Sequence, residues 1–182
     1  DLFEMGIRVK PKTMQDKVIT GRKEYETIEL SGYSFAIMDT ADIDDMIKAR
    51  GLNLEWCYAD LAERLSPDLI NPGTAYKLRE EWEEFVHGDK FAYTYNERIR
   101  EQLRDTIDVL EFDNASRQAV ITIYNGTMDS ANRGGLSRVP CSMYYQFLIR
   151  GNKLDVIYTM RSSDFMTHFP YDIWMAAQLQ NR

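Results

Sequence analysis

Cys141, set directly after Pro140, and Arg161 stand at the outer ends of PCSMYYQFLIRGNKLDVIYTMRSSD, a stretch that reads as a β-hairpin. Two alternating runs flank Gly151-Asn152, a favourable two-residue turn. With that turn Arg150 faces Lys153, and counting back along both strands puts Cys141 opposite Ser162 and beside Arg161. A looser turn shifts the pairing by one residue and keeps them neighbours. A fixed cation next to a thiol favours the thiolate, which is the nucleophile. The same guanidinium, with the Ser162 hydroxyl, has the fork geometry that grips a phosphate. The competing description makes Cys141 a small buried hydrophobe and Arg161 a cap on the sheet edge. On spacing alone that description is favoured, since most single cysteines are packing residues.

The elements that must hold this hairpin are legible around it. NLEWCYADLAERL (53–65) reads as a helix capped by Asn53 and broken before Pro67. TAYKLREEWEEFV (74–86) reads as a helix with Leu78, Trp82 and Phe85 on one face. NERIREQLRDTIDVLEF places Ile99, Leu103, Ile107 and Leu110 on one stripe. RQAVITIYN (117–125) is β-branched and reads as a buried strand, followed by a glycine-rich loop over 125–138. YETIELSGYSFAI (25–37) reads as two strand-like runs around Ser31-Gly32. DTADIDDMIKARG (39–51) is open between a short helix and a loop, its acidic start taken as a solvated surface. PYDIWMAAQLQ is a buried helix with Asp172 in its first turn.

Composition narrows the class. With 182 residues, 44% hydrophobic and 28% charged, the chain has the balance of one soluble globular domain. Two cysteines are too few for a disulfide framework and fit a reducing cytoplasm. With only His87 and His168 as further ligands, no structural metal site is expected. A net charge of −7 argues against a nucleic-acid binder and leaves room for a small anion held by a few arginines. The last helix runs to Arg182, so the expectation is a single catalytic domain over 1–182, incomplete at its C-terminal side.

Taken together the hairpin residues resemble the thymidylate synthase family. Pro140-Cys141-Ser142, Gln146-Phe147, Arg161-Ser162-Ser163-Asp164 and Phe169-Pro170-Tyr171-Asp172 follow its signature without a gap. The match is dense from Tyr95 to Gln180 and faint before it, limited to NLEWCY around Glu55 and a segment starting at Arg22. The resemblance implies an α/β fold, with a mixed twisted sheet flanked by helices and packed at a homodimer interface. It implies a nucleophilic Cys141 that adds to C6 of a pyrimidine nucleoside monophosphate, and 5,10-methylenetetrahydrofolate as one-carbon donor to C5. Glu55 becomes a proton relay, and Arg161 and Ser162 hold the phosphate. Arg117 reaches the neighbouring subunit's site, next to Gln118 where the family has a second arginine. Asp164, Tyr95, Gln146 and Arg22 fall at further substrate positions.

Departures from the family pattern direct the substrate assignment. Asp172 stands where the family's asparagine accepts from uracil N3–H and donates to O4; an ionised carboxylate cannot donate. This substitution marks the branch that hydroxymethylates cytosine nucleotides, so the expectation is dCMP to 5-hydroxymethyl-dCMP. Enzymes of that kind supply modified nucleotides for phage DNA, in which case the setting is the host cytoplasm. Ser142 replaces a histidine, His168 a glycine, and Arg79 falls on a tryptophan near the folate, with Trp82 matching a second tryptophan. The competing expectations are a thymidylate synthase acting on dUMP, a CMP hydroxymethylase, and a non-catalytic nucleotide- or RNA-binding relative.

Overall fold

The first part of the chain makes short antiparallel ladders. After a single turn, α1 (Leu2–Met5), β1 (Ile7–Val9) pairs with β4 (Thr27–Glu29), and β2 (Thr13–Met14) pairs with β3 (Lys17–Val18). These elements belong to one unit of the molecule, up to Asp39 together with Gly126–Val139; the second comprises Thr40–Asn125 and Pro140–Arg182. The computed structural model describes residues 2–15, 17–130 and 137–182, so part of the loop expected over 125–138 lies outside the described residues. Of the two runs expected around Ser31-Gly32, the first is β4, but residues 33–37 are irregular. Tyr33, Phe35 and Ile37 alternate there and stay exposed. Alternation becomes a strand only where a neighbouring edge offers its hydrogen bonds.

The second unit carries α2 (Ile43–Ala49), α3 (Leu54–Arg64), α4 (Tyr95–Phe112), β5 (Val120–Thr122), β6 (Ser142–Arg150), β7 (Lys153–Met160) and α5 (Phe169–Asn181). The acidic 39–51 segment is helical because Ile43 and Ile47, one turn apart, are both buried. Its acidic start is not simply solvated, which corrects the expectation from charge. The Asp44 carboxylate accepts from Trp174 Nε1–H at 2.7 Å and from the Tyr58 hydroxyl at 2.5 Å, tying α2 to α5 and α3.

Asn53 caps α3 as its position suggests, its side chain accepting from the Trp56 N–H at 2.9 Å. At the head of α4, Thr94 and Glu97 form a reciprocal capping box. Ile99 is fully buried on the α4 stripe, whereas Ile107 is 43% exposed, because the face turned to the core in this part of the helix is that of Thr106, Val109 and Leu110. The helix expected over 74–86 is instead two 3₁₀ turns, Ala75–Leu78 and Glu80–Phe85. Arg79 breaks them with an extended backbone (φ −145°, ψ 97°), and its side chain is buried.

β5, β6 and β7 form an antiparallel sheet in that order, and the described ladders all run antiparallel. One face packs on α4 through Ala119, Ile121, Ile123, Tyr145 and Phe147, with Ile99 and Leu179. A second cluster joins α2, α3 and α5 through Ile47, Trp56, Cys57, Leu61 and Trp174. Each such side chain contributes on the order of 1.5–3 kcal/mol by leaving water. Together they fix α3 and α5 against the hairpin base, which is where the chemistry-bearing residues gather.

Candidate active site

The hairpin register is the expected one over most of its length, with Arg150 opposite Lys153 and Tyr145 opposite Tyr158. A β-bulge between Ser142 and Tyr144 then slips the pairing by one, so that Ser142 faces Met160. Cys141 therefore meets Arg161 rather than Ser162, through a bulge in the strand and not a looser turn. The Arg161 N–H donates to the Cys141 carbonyl at 2.9 Å, and Arg161 Nη2 lies 3.8 Å from Cys141 Sγ. Arg161 Nε donates to the Pro140 carbonyl at 2.9 Å, which aims the guanidinium back along the strand mouth. The thiol and the cation are in contact, with geometry suited to hold a thiolate.

The α5 head presents Asp172, whose Oδ2 accepts from the Ser163 hydroxyl at 2.8 Å. Burial pushes the Asp172 carboxyl up to about 6; the Ser163 hydrogen bond and the charges of Arg64 and Arg79 pull the other way without overcoming it. The sequence reading took this carboxylate as ionised; burial lets it keep a proton to higher pH than an exposed aspartate. Ser163 is a residue the motif passes over and the sequence reading did not single out; a hydroxyl between the motif's Arg161 and Asp164 was the one sequence signal for it. Ser162 is exposed at the strand exit.

Asp164 turns into its own loop. Its carboxylate accepts from the Met166 N–H at 2.9 Å and the Thr167 hydroxyl at 2.7 Å. Burial raises its pKa, but these bonds outweigh it and hold the group below its ordinary value. His168 precedes α5, its ring 6.1 Å from that of Trp82. Burial and then the Arg79 charge keep its imidazole below its ordinary value, so it is neutral at pH 7.

Ser142, at the bulge, is fully buried. Its Oγ sits 3.0 Å from the Tyr95 hydroxyl and 2.5 Å from the Tyr158 hydroxyl, so it faces inward and joins α4 to the hairpin. Burial drives the Tyr95 phenol well above its ordinary range, and the Arg64 guanidinium lies 3.9 Å from its ring centre. Glu55 is exposed in the first turn of α3, beside the Asn53 cap.

Other candidates lie apart from the thiol. β6 is nine residues long, about 30 Å at the rise of a strand, and Arg117 sits near its far end. There it lines a shallow groove with Asn114, Ala115, Ile149, Arg150 and Gly151. Gln146 lies midway along β6, its side-chain amide donating to the Arg117 carbonyl at 2.8 Å. Arg22 belongs to the first unit, where it is exposed and starts the 3₁₀ turn Lys23–Tyr25. No helix among the described residues is long and apolar enough to cross a membrane.

The family model described as thymidylate synthase matches residues 55–181, most of the chain. A deoxyuridylate hydroxymethyltransferase of Bacillus phage SP01 is 39% identical over 64 residues, covering 35% of this chain and 16% of that protein. A thymidylate synthase of Novosphingobium aromaticivorans is 32% identical over 78 residues, covering 43% of this chain and 24% of that one. The crystal structure of thymidylate synthase from T4 phage superposes with a TM-score of 0.51 at 21% identity, over 69% of this chain and 50% of that one. The chain thus spans half or less of the length of these relatives.

Proposed function

Because this chain belongs to the thymidylate synthase family, we propose that Cys141 attacks a pyrimidine nucleoside monophosphate, with dCMP as substrate and 5-hydroxymethyl-dCMP as product. The observation that carries this reading is the contact between the Cys141 sulfur and the Arg161 guanidinium, with Ser163 holding Asp172 close by in sequence. The Cys141 thiolate forms a bond to C6 and the C5–C6 double bond gives up its pair, making C5 nucleophilic. After C5 has gained its carbon and lost its proton, the bond from that carbon to the folate nitrogen breaks, leaving an exocyclic methylene. Water adds to the methylene and gives up a proton, and the electron pair returns to form the C5–C6 double bond as the sulfur leaves C6. Glu55, exposed at its helix head, relays protons to and from the ring through water. Methylenetetrahydrofolate supplies the one-carbon unit when bound. Trp82 and the half-exposed Phe165, whose ring lies 5.1 Å from Phe169, offer flat apolar faces that fit its rings.

Asp172 reads the base. In its protonated form it donates to cytosine N3 and accepts from the N4 amino group; in its ionised form it accepts from both N3–H and the N4 amino group of a cytosine carrying the proton on N3. A carboxyl near 6 shares that proton with little cost. Arg161 and Ser162 grip the 5′-phosphate. Asp164 and Tyr95 shape the wall. Arg117, at the far end of the sheet, serves a second subunit docked on the outer sheet face, where Tyr144 and Ile157 are exposed. Sedimentation should accordingly show a dimer, and Arg117→Ala subunits mixed with Cys141→Ser subunits should regain activity that neither has alone.

A second reading has its own support: the phage SP01 relative acts on deoxyuridylate, and a protonated Asp172 has the donor and acceptor of the family's asparagine. Tritium release from C5-labelled dCMP and dUMP, each with methylenetetrahydrofolate, separates the two. Release from dCMP with a hydroxymethyl product by mass supports the first reading. Release from dUMP alone transfers the assignment to uracil, and release from neither refutes both.

A further inference from the structure

We propose that Arg79 is a positioning residue for this site: its guanidinium, wedged between Trp56 of α3 and Tyr171 of α5, locks together the first turns that carry Glu55 and Asp172, and keeps a permanent positive charge facing Asp172 and His168. This rests on the function proposed above.

The geometry is a closed circuit. The Arg79 guanidinium carbon lies 4.6 Å from the Trp56 ring centre, 4.5 Å from that of Tyr171 and 5.9 Å from that of Trp82. The rings also hold one another: Trp56 and Trp82 stack at 14°, and Trp56 meets Tyr171 edge-on with centres 4.8 Å apart. Asn53 closes the loop. Its N–H donates to the Tyr171 hydroxyl at 3.0 Å, and its side-chain amide donates to the carbonyl of Leu78, the residue before Arg79, at 2.9 Å. Glu55 lies two positions after Asn53, and Asp172 is next to Tyr171. A change in how Arg79 sits moves both helix heads.

A packing role alone does not account for an arginine. Its side chain is 8% exposed and, among the described residues, its ion-pair partner is Glu81, which is itself 55% exposed and takes both the Nε and Nη2 hydrogen bonds on a single oxygen. Burying a cation costs several kcal/mol, and an unbranched apolar side chain would fill the space without that cost. Three aromatic faces recover part of it. The charge is what an apolar residue would not provide, and it has two targets. Asp172 is faced by the Ser163 hydroxyl, by Arg64 of α3, by Arg79, by Asp164 of the preceding loop, and by the phenols of Tyr95, Tyr145 and Tyr158 from α4, β6 and β7. His168 is faced by Arg79, Asp164 and Glu81. Arg79 is the cation common to both, and it favours an ionised Asp172 and a neutral His168.

The test uses the full chain with Arg79→Met and Arg79→Lys, following the Asp172 carboxyl and the His168 imidazole by NMR titration without substrate. In Arg79→Met both midpoints should rise, Asp172 by about half a pH unit or more, as loss of one close charge in a protein dielectric requires. The acid limb of kcat/KM should rise with it, and kcat should fall about tenfold as the helix heads lose their lock. Arg79→Lys should restore the titrations but not kcat, since an ammonium lacks the planar stack. If Arg79→Met fails to fold, Arg79→Gln replaces it with the same expectations. Midpoints that stay in place in a folded, uncharged variant overturn the proposal. If the wild-type chain releases no tritium from either nucleotide, the function fails while the titrations still decide the role of Arg79.

Discussion

Replacing Asp172 with asparagine should stabilise the protein, and only above the pH at which the carboxyl ionises. Burial moves this group from its ordinary 3.8 up to about 6, which corresponds to roughly 3 kcal/mol of ionisation cost at full strength. Solvent at the half-buried site screens this, leaving an expected gain of about 1–2 kcal/mol for Asp172→Asn at pH 8. The sign follows from linkage. A carboxyl whose folded pKa lies above its unfolded value contributes its full share of stability below the unfolded value of 3.8. That share is lost as pH rises through about 6. The advantage of the asparagine should therefore vanish near pH 4. Urea midpoints of both proteins at pH 8, 6, 5 and 4 measure it directly, and the melting point at pH 8 should rise by about 2–6 °C. The Ser163 hydroxyl still finds an acceptor on the amide, so the local geometry persists. A difference that is constant with pH, or an aspartate form that is the more stable at pH 8, refutes the reasoning. The same variant should gain activity on dUMP relative to dCMP by roughly 10–100-fold, the consequence of one or two mismatched buried hydrogen bonds at about 1–3 kcal/mol each.

Three further outcomes are expected. Cys141→Ser should abolish tritium release from C5 while leaving nucleotide binding by calorimetry within about threefold, because a serine hydroxyl is a far poorer nucleophile than a cysteine thiolate. Asp44→Asn should lower the unfolding free energy from urea titration at pH 7 by about 1–2 kcal/mol, since Trp174 and Tyr58 both donate to that carboxylate. Burial opposes ionisation of Asp44, but the two donors outweigh it and hold its pKa below the ordinary 3.8. The difference should therefore shrink as pH falls through that range. Gly73→Ala should destabilise by about 1–2 kcal/mol in the same assay. Its φ is +76°, and an added Cβ would meet the Glu63 carboxylate, which accepts from the Thr74 and Ala75 N–H groups.

Local rules account for the part of this fold and site that is legible in the residues alone. A two-residue turn between alternating runs sets the hairpin, Asn53 and Thr94 start their helices by side-chain capping, and the spacing of Cys141, Arg161 and Asp172 carries the family signature across a contiguous segment. Tertiary structure decided the rest, because it depends on what lies opposite. The bulge that brings Cys141 against Arg161 costs one ladder position and is a property of two strands together. Residues 74–86 have helical periodicity, yet the aromatic cage of Trp56 and Tyr171 extends the backbone at Arg79. Ser142 turns inward because two phenols wait there for a hydrogen bond, and Asp44 is drawn from the open surface into hydrogen bonds because an indole and a phenol donate to it. Asp172 was visible as a carboxylate; that it holds its proton almost to neutrality follows from burial, which periodicity does not encode.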